Sequence, residues 1–459
     1  MVVDTVVSGG TLVTAEGMLE ADLLVDEGTI VGKVSHETPV ETETTVDASG
    51  YLVLPGLVDP HVHIGGPNTL DDYESGSKAA ALGGVTSLIS FAWQGWESAE
   101  SAWTEDGTLR EAVQRQHEAA QSSLVDYSVH GTITRDDPAV LDEIPSLVDD
   151  GIVSFKIFTT YDFGLRNGFI EQVFEEIEET DAVAVLHTED DAVCSTREAV
   201  MRREDRGEPT DYPDSRPDHA EAMAADDAVR MASAVGNKYY GIHTSCRAAA
   251  DVIAEAQTDK SQIRGETCVH YTTLDRSVYG EQGLLPMIAP PIRSPDDVDA
   301  MFEHLRSGTL DVVSTDHVAF SREQKETDNW WESEYGANSV QRTLPVFHDE
   351  AVVTRGLSYP KLVQLQCRNP ARIFGLENKG TLEPGTDADF VLFDPDATQT
   401  IDAADNASKA DYSMYEGREV TGTVEATYVR GDCVAADGTI VGEPGHGEPI
   451  DRTTPDWEE

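Results

Sequence analysis

Residues 53–66, VLPGLVDPHVHIGG, decide how the chain is read: an apolar, β-branched run stops at Asp59-Pro60 and is followed at once by His61 and His63. In an extended strand, residues i and i+2 share a face, so the two imidazoles aim at one point and make a two-pronged grip for a metal ion. The same device recurs along the chain. A short apolar run is closed by Lys156 in GIVSFKIFTTY, His187 in VAVLHTED, His243 in YYGIHTS and Asp316 in VVSTDHVAF. Working outward, eight candidate strands can be counted: VLPGLVDPHVH, VTSLISFA, YSVHGTI, IVSFKIF, AVAVLH, YYGIH, RGETCVHY and LDVVSTD. Between them, stretches such as LREAVQRQHEAAQSSL, FIEQVFEEIEETD and AEAMAADDAVRMASAVG space their apolar residues three and four apart, as amphipathic helices do. Alternating β and α units imply a parallel sheet, and eight strands with right-handed crossovers close it into a barrel. An open doubly wound sheet competes, but it offers no reason for reactive residues to end strands one, four, five, six and eight. A barrel gathers those ends around one mouth.

The flanks read differently. TVVSGGTLVT, LEADLLVDEGTIVGKV and TTVDASGYLVLPGLVD alternate apolar and polar residues between glycine turns, and the texture returns in KGTLEPGTDADFVLFDPD and VEATYVRGDCVAADGTIVG. The expected organisation is an α/β chain in which residues 1–54 and 376–443 build one small β-sandwich from both termini. Residues 55–375 form the (β/α)8 barrel, and residues 444–459 a tail that is mobile or docked on a partner. The long proline- and charge-rich insertion between His187 and His243 is expected to be a lid or rim.

Composition bounds the partners. The 459 residues carry 86 Asp plus Glu against 32 Lys plus Arg, a formal charge of −54. Phosphate binding depends on Lys and Arg releasing counterions, so nucleic acid and anionic membrane surfaces are excluded as partners. The acidic residues are spread along the whole chain, which describes a solvent more than a site; molar salt shortens the Debye length to about 3 Å and relieves the self-repulsion. A cytoplasm rich in salt is the expected location. Five cysteines without a CxxC pair argue against a disulfide framework or a thiolate zinc site. The N-terminus has neither a basic start nor a sustained apolar stretch, and no run approaches the roughly 20 apolar residues that cross a bilayer.

The six strand-end residues suggest a chemistry. Lys156, flanked by Ile152, Val153, Phe155, Ile157 and Phe158, loses hydration, so its neutral amine is favoured and can capture carbon dioxide. The carbamate formed carries two oxygens and one negative charge, enough to bridge two divalent ions. Two such ions, zinc being the expected metal, outweigh a carbamate, the Asp316 carboxylate and one hydroxide by a single positive charge, which suits polarising a carbonyl. Asp316 can take a proton from the shared water and return it to a departing nitrogen. His317 is a candidate support for this centre or a surface residue; His130 and His270, on candidate strands, are expected in the pocket or core, and Cys246 as a buried small apolar residue. GxSxG, GxxxxGK[ST] and strand-linked GxGxxG patterns are absent, which removes serine acyl transfer, P-loop chemistry and dinucleotide binding.

At these residues the chain resembles the cyclic amidohydrolases, most closely the dihydropyrimidinase and hydantoinase family. The resemblance runs from the first sandwich strands to about residue 443, through LPGLVDPHVHIGG, EIPSLVDDGIVSFKIFTTYD, GETCVHYTTLD, APPIRSPDD, NPARIFGL and GTLEPGTDADFVLFDP. It implies a two-metal centre on His61, His63, N6-carboxylated Lys156, His187, His243 and Asp316, with Asp316 catalytic. It further implies substrate contacts from Tyr161, from the backbone at Ala289 and from Asn338, and assembly as a homotetramer or homodimer. The implied reaction opens a small cyclic amide or imide, a dihydropyrimidine or hydantoin, to an N-carbamoyl amino acid. Three features depart from the pattern: His187-Thr188-Glu189-Asp190, Ala289 before Pro290-Pro291, and WWESEYGANSVQRTLPVF, which somewhat resembles allantoinase. Allantoinase is therefore one alternative. Dihydroorotase ranks lower, because Gly65 stands where its pattern carries an arginine, and a non-enzymatic scaffold of the same fold is the alternative from another class.

Overall fold

The computed structural model describes residues 2–95, 107–257 and 262–457. Eight parallel strands follow one another in chain order around a barrel: Leu57–Asp59, Val85–Trp93, Asp126–Thr132, Ser154–Phe158, Val183–His187, Lys238–Gly241, Ile263–Cys268 and Val312–Ser314. The last and first strands join at the mouth, where His317–Val318 pairs in parallel with Val62–His63. Just below, the Thr315 hydroxyl donates to Asp59 Oδ2 at 2.6 Å. This closure carries the polar end of strand eight to the two histidines of strand one.

Helices sheathe the barrel, so its strands are buried on both faces and read as nearly continuous apolar runs. Inside, Val58, Ile89, Val183, Val185, Tyr240, Ile242 and Val312 form one cluster, floored by Ala371, Ile373, Phe374 and Leu376. Local chemistry sets the helix ends. Leu109–Ala119 opens with a capping box between Thr108 and Glu111, and Pro295–Ser307 opens with Ser294 and Asp297 and stops at Gly308, whose φ of 84° costs glycine little.

The sandwich draws on both ends of the chain. Its seven-stranded sheet places Phe390–Thr400 between Glu419–Val429 and Leu52–Pro55, with Phe390 opposite Pro55 in antiparallel register. The other sheet, of four strands, is built from residues 2–47. Val7, Leu12, Leu23, Val53, Phe390 and Leu392 fill the space between them. A buried ion cluster fastens the sandwich to the barrel: Lys379 Nζ lies 2.5 Å from Asp126, 2.8 Å from Asp387 and 2.9 Å from Asp389, and Arg430 also bonds Asp126.

Two expectations change. The tail is not free: Ile450 N donates to Tyr127 O at 2.8 Å, Tyr127 N to Glu448 O at 3.0 Å, and the Trp457 indole to Ile373 O at 3.1 Å, so residues 448–457 seal the barrel floor. His270 lies on a short helix, Val269–Thr273, beyond the seventh strand. The insertion after His187 holds the helices Asp191–Arg203 and Asp218–Val235, the second being the one that the apolar spacing of AEAMAADDAVRMASAVG predicts, and the segment between them, with a short helical turn at Pro209–Ser215, buries Arg216. Among the described residues no helix is long and apolar enough to cross a membrane, and the five cysteines are unpaired.

Candidate active site

His61, His63, Lys156, His187, His243 and Asp316 all line one cavity of about 240 Å³ at the barrel mouth. A roomier cavity of about 1360 Å³ lies beyond Tyr161 and Phe163, but none of the six faces it, so the smaller one is where they meet. The strand geometry explains the convergence. Lys156 and His187 point inward from their strands, whereas His243 and Asp316 stand two residues past strand ends, with φ of 74° and 45°. Left-handed backbone at non-glycine residues costs about 1–3 kcal/mol each, and here it turns both side chains into the mouth.

The donors fall into two neighbouring groups. Asp316 Oδ1 lies 3.0 Å from His61 Nε2 and 3.3 Å from His63 Nε2. His243 Nε2 lies 2.6 Å from His187 Nδ1. Two buried carboxylates orient the rings: His61 Nδ1–H donates to Glu266 at 2.6 Å, and His187 Nε2–H donates to Glu189 at 2.8 Å. A histidine whose outer nitrogen is held by a carboxylate presents its other lone pair to a metal. That arrangement leaves the His61 Nε2 lone pair facing a carboxylate oxygen, an encounter that needs a positive charge between them. His61 Nε2 is buried and makes no aligned hydrogen bond. A proton can supply the charge: burial alone would lower the His61 pKa, but Asp316 and Glu266 push it up to about 9. A divalent cation supplies it equally, and imidazole and carboxylate donors fit zinc.

Burial dominates the other bases. It lowers His63 and His187 to about 4 each and His243 well below its ordinary value, so all three rings are neutral and available as ligands. Asp316 is buried too, yet His61 and His63 hold its carboxyl well below the usual range. Lys156, with Nζ 4.5 Å from the Phe158 ring and 5.3 Å from Phe91, is brought down to about 7 by burial.

The substrate-contact expectations divide. Tyr161, at φ 73°, and Ala289 line the cavity. Asn338 does not: it is buried behind the wall, and its amide donates to the Tyr412 carbonyl. Gly336 and Tyr335 take the wall position instead. His317 is buried, bonded to Asp71 at 2.9 Å and accepting from Ser339 N at 3.2 Å, so it braces the loop after Asp316. Cys246 is fully buried, as expected of a small apolar residue.

Sequence reasoning missed the carboxylates that orient the rings. Glu189 was within reach, two residues after His187, but Glu266 is 205 residues from His61 and no spacing links them. Arg216 was also missed. Its guanidinium bonds Glu189 and lies 5.0 Å from the Tyr161 ring and 5.4 Å from Tyr335, filling the space behind the tyrosine.

Comparison with known proteins agrees with this fold. Residues 52–434 match the model of the Amidohydrolase family. A D-phenylhydantoinase of Escherichia coli O7:K1 is 32% identical over 457 residues, covering 97% of each chain. Among solved structures, the D-hydantoinase of Bacillus sp. AR9 superposes with a TM-score of 0.93 at 30% identity, over 99% of this chain and all of the other. The dihydropyrimidinase of Brevibacillus agri gives 0.92 at 29% identity, over 98% and 99% of the two chains.

Proposed function

The chain belongs to the amidohydrolase family, and from that premise we propose that it hydrolyses a cyclic amide or imide, a dihydropyrimidine or hydantoin, to an N-carbamoyl amino acid. One observation carries the reading: four histidines, a desolvated lysine and a carboxylate share a single small, aromatic-walled cavity. Two divalent ions, zinc in this proposal, would be held by His61, His63, His187, His243, Asp316 and a carboxylated Lys156, and when bound would polarise the ring carbonyl and acidify a water. Asp316 accepts that water's proton and returns it to the departing ring nitrogen. The Tyr161 hydroxyl, kept protonated by burial, donates to the carbonyl oxygen as charge builds there. The backbone at Ala289 holds the ring, while Trp93, Phe158 and Phe163 keep water away from it.

Substrate charge favours neutral rings. Glu334 lines the mouth and, among the described residues, no arginine does, which disfavours the carboxylate of dihydroorotate. We also infer work in a salt-rich cytoplasm, from the charge of −54, and a homotetrameric or homodimeric assembly. The test is a panel of dihydrouracil, hydantoin, allantoin and dihydroorotate in molar salt, with metal analysis and a mass measurement for carbon dioxide on Lys156. Opening of dihydrouracil or hydantoin is the expected result; allantoin alone would overturn the substrate class. A metal-free protein with an unmodified lysine and no activity would make it a scaffold.

A further inference from the structure

The C-terminal segment drives a positive charge into the barrel floor. Arg452 is 4% exposed, and burial, opposed by no carboxylate, pushes its pKa down to about 9. Its Nη2 donates to Val129 O at 2.6 Å and its Nη1 to Ser154 Oγ at 2.9 Å. Those acceptors belong to the third and fourth strands, which pair only through Gly131–Thr132 and Phe155–Lys156, so the guanidinium bridges the gap where the ladder stops. A methionine of similar volume would plug the same space without desolvating a cation. The contribution of the guanidinium therefore lies in what it bonds.

The bonds run in one direction. Arginine has donors only, so Ser154 Oγ accepts from Arg452 and directs its own hydrogen to His130 Nδ1, 2.7 Å away. With Nδ1 accepting, the ring proton sits on Nε2, which lies 2.8 Å from the Pro60 carbonyl, a group that can only accept. Phe91 stacks on the His130 ring at 5.1 Å and Phe374 meets it edge-on at 5.1 Å, so it cannot swing aside. Bonds that donate in the same sense strengthen one another. The last acceptor is the carbonyl of the peptide that carries His61.

We propose that Arg452 is a positioning residue for the metal centre: through Ser154 and His130 it holds the Pro60–His61 peptide and so aims His61 and His63 at Asp316. The inference rests on reading those three residues as ligands. It assigns the docked tail a share in the site at the opposite end of the barrel.

The test is zinc affinity of the full-length apoprotein, titrated against a competing chelator in molar KCl, for the wild type, Arg452→Met, Ser154→Ala, the double variant and Arg452→Lys. Arg264→Met is the control, because Arg264 holds the tail at Trp457 without touching the relay. Arg452→Met and Ser154→Ala are each expected to bind zinc about tenfold more weakly, the low end for losing a group that orients a ligand. The double variant should lose no more than either single, since both break one relay. Arg452→Lys should recover part of the loss by reaching Ser154 Oγ, and Arg264→Met should bind like the wild type. Should Arg452→Met fail to fold, Ser154→Ala decides alone, because it leaves the bond to Val129. Wild-type affinity in Ser154→Ala, losses that add, or an equal loss in Arg264→Met would overturn the proposal. A wild type that binds no zinc would overturn the metal reading itself.

Discussion

Replacing Lys379 with methionine tests how the sandwich is fastened to the barrel. The ammonium sits within 2.5–2.9 Å of Asp126, Asp387 and Asp389, and the Lys379, Asp126 and Asp389 side chains are each 3% exposed or less. With Arg430 the cluster carries two cations against three carboxylates; methionine keeps the volume and leaves one cation against three. Removing one partner of a buried ion pair costs about 3–5 kcal/mol. At roughly 2.1 cal/mol/K of unfolding entropy per residue, the 459 residues give about 1 kcal/mol/K, so Tm should fall by about 3–5 °C near pH 7.5. The pH dependence has a definite sign. Burial raises the Asp126 pKa, but Lys379 and Arg430 outweigh it and hold the group below 3.8, so its contribution is present above that value and lost as pH falls through the lower folded pKa. The wild type therefore gains nothing from Asp126 on acidification from about pH 7.5 to 4.5, although Asp389, which burial holds above its ordinary value even beside Lys379, gives back a smaller part over the same range. In the variant the stranded carboxylates take up protons over that range, and the gap in Tm should close. Thermal unfolding by circular dichroism in molar KCl at both pH values measures it. A deficit below about 1 °C near pH 7.5, or one that does not change with pH, would refute the account.

Other consequences follow from the same contacts. Burial pushes the Asp311 carboxyl up to about 7, so its neutral form is favoured in the fold and stability is lost as pH rises from about 4 through 7. Asp311→Asn should raise Tm near pH 8, by at most roughly 4 kcal/mol in stability, and match the wild type near pH 4, both read by thermal unfolding. Arg216→Lys keeps the charge but loses the planar contact with Tyr161 and the fork toward Glu189, so kcat for ring opening should fall about tenfold, and Arg216→Met should fall further. Lys325 donates to three wall carbonyls, Met287 at 2.5 Å, Glu334 at 2.9 Å and Gly336 at 3.0 Å; Lys325→Met should loosen that wall and raise KM more than it lowers kcat. With a net charge of −54, Tm should climb steadily between about 0.2 and 2 M KCl, and a flat response would argue against a salt-rich setting.

Much of the architecture was legible along the chain because it depends on local pattern. Apolar runs of strand length alternating with helical spacing specify a parallel barrel, and glycine-punctuated alternation at both ends specifies the sandwich. The order of His61, His63, Lys156, His187, His243 and Asp316 at strand ends was equally visible, since a closed barrel brings all strand ends to one rim. Tertiary structure decided what those residues lean on. Glu266 beneath His61, Arg216 behind Tyr161, and the turn of Asn338 away from the cavity toward Tyr412 depend on contacts between segments scores or hundreds of residues apart, and no periodicity records them. The tail makes the same point most sharply. EPGHGEPIDRTTPDWEE has no apolar rhythm of its own, yet its residues 448–457 dock because the barrel floor offers backbone partners and a gap between two strands, and those exist only once the barrel has closed.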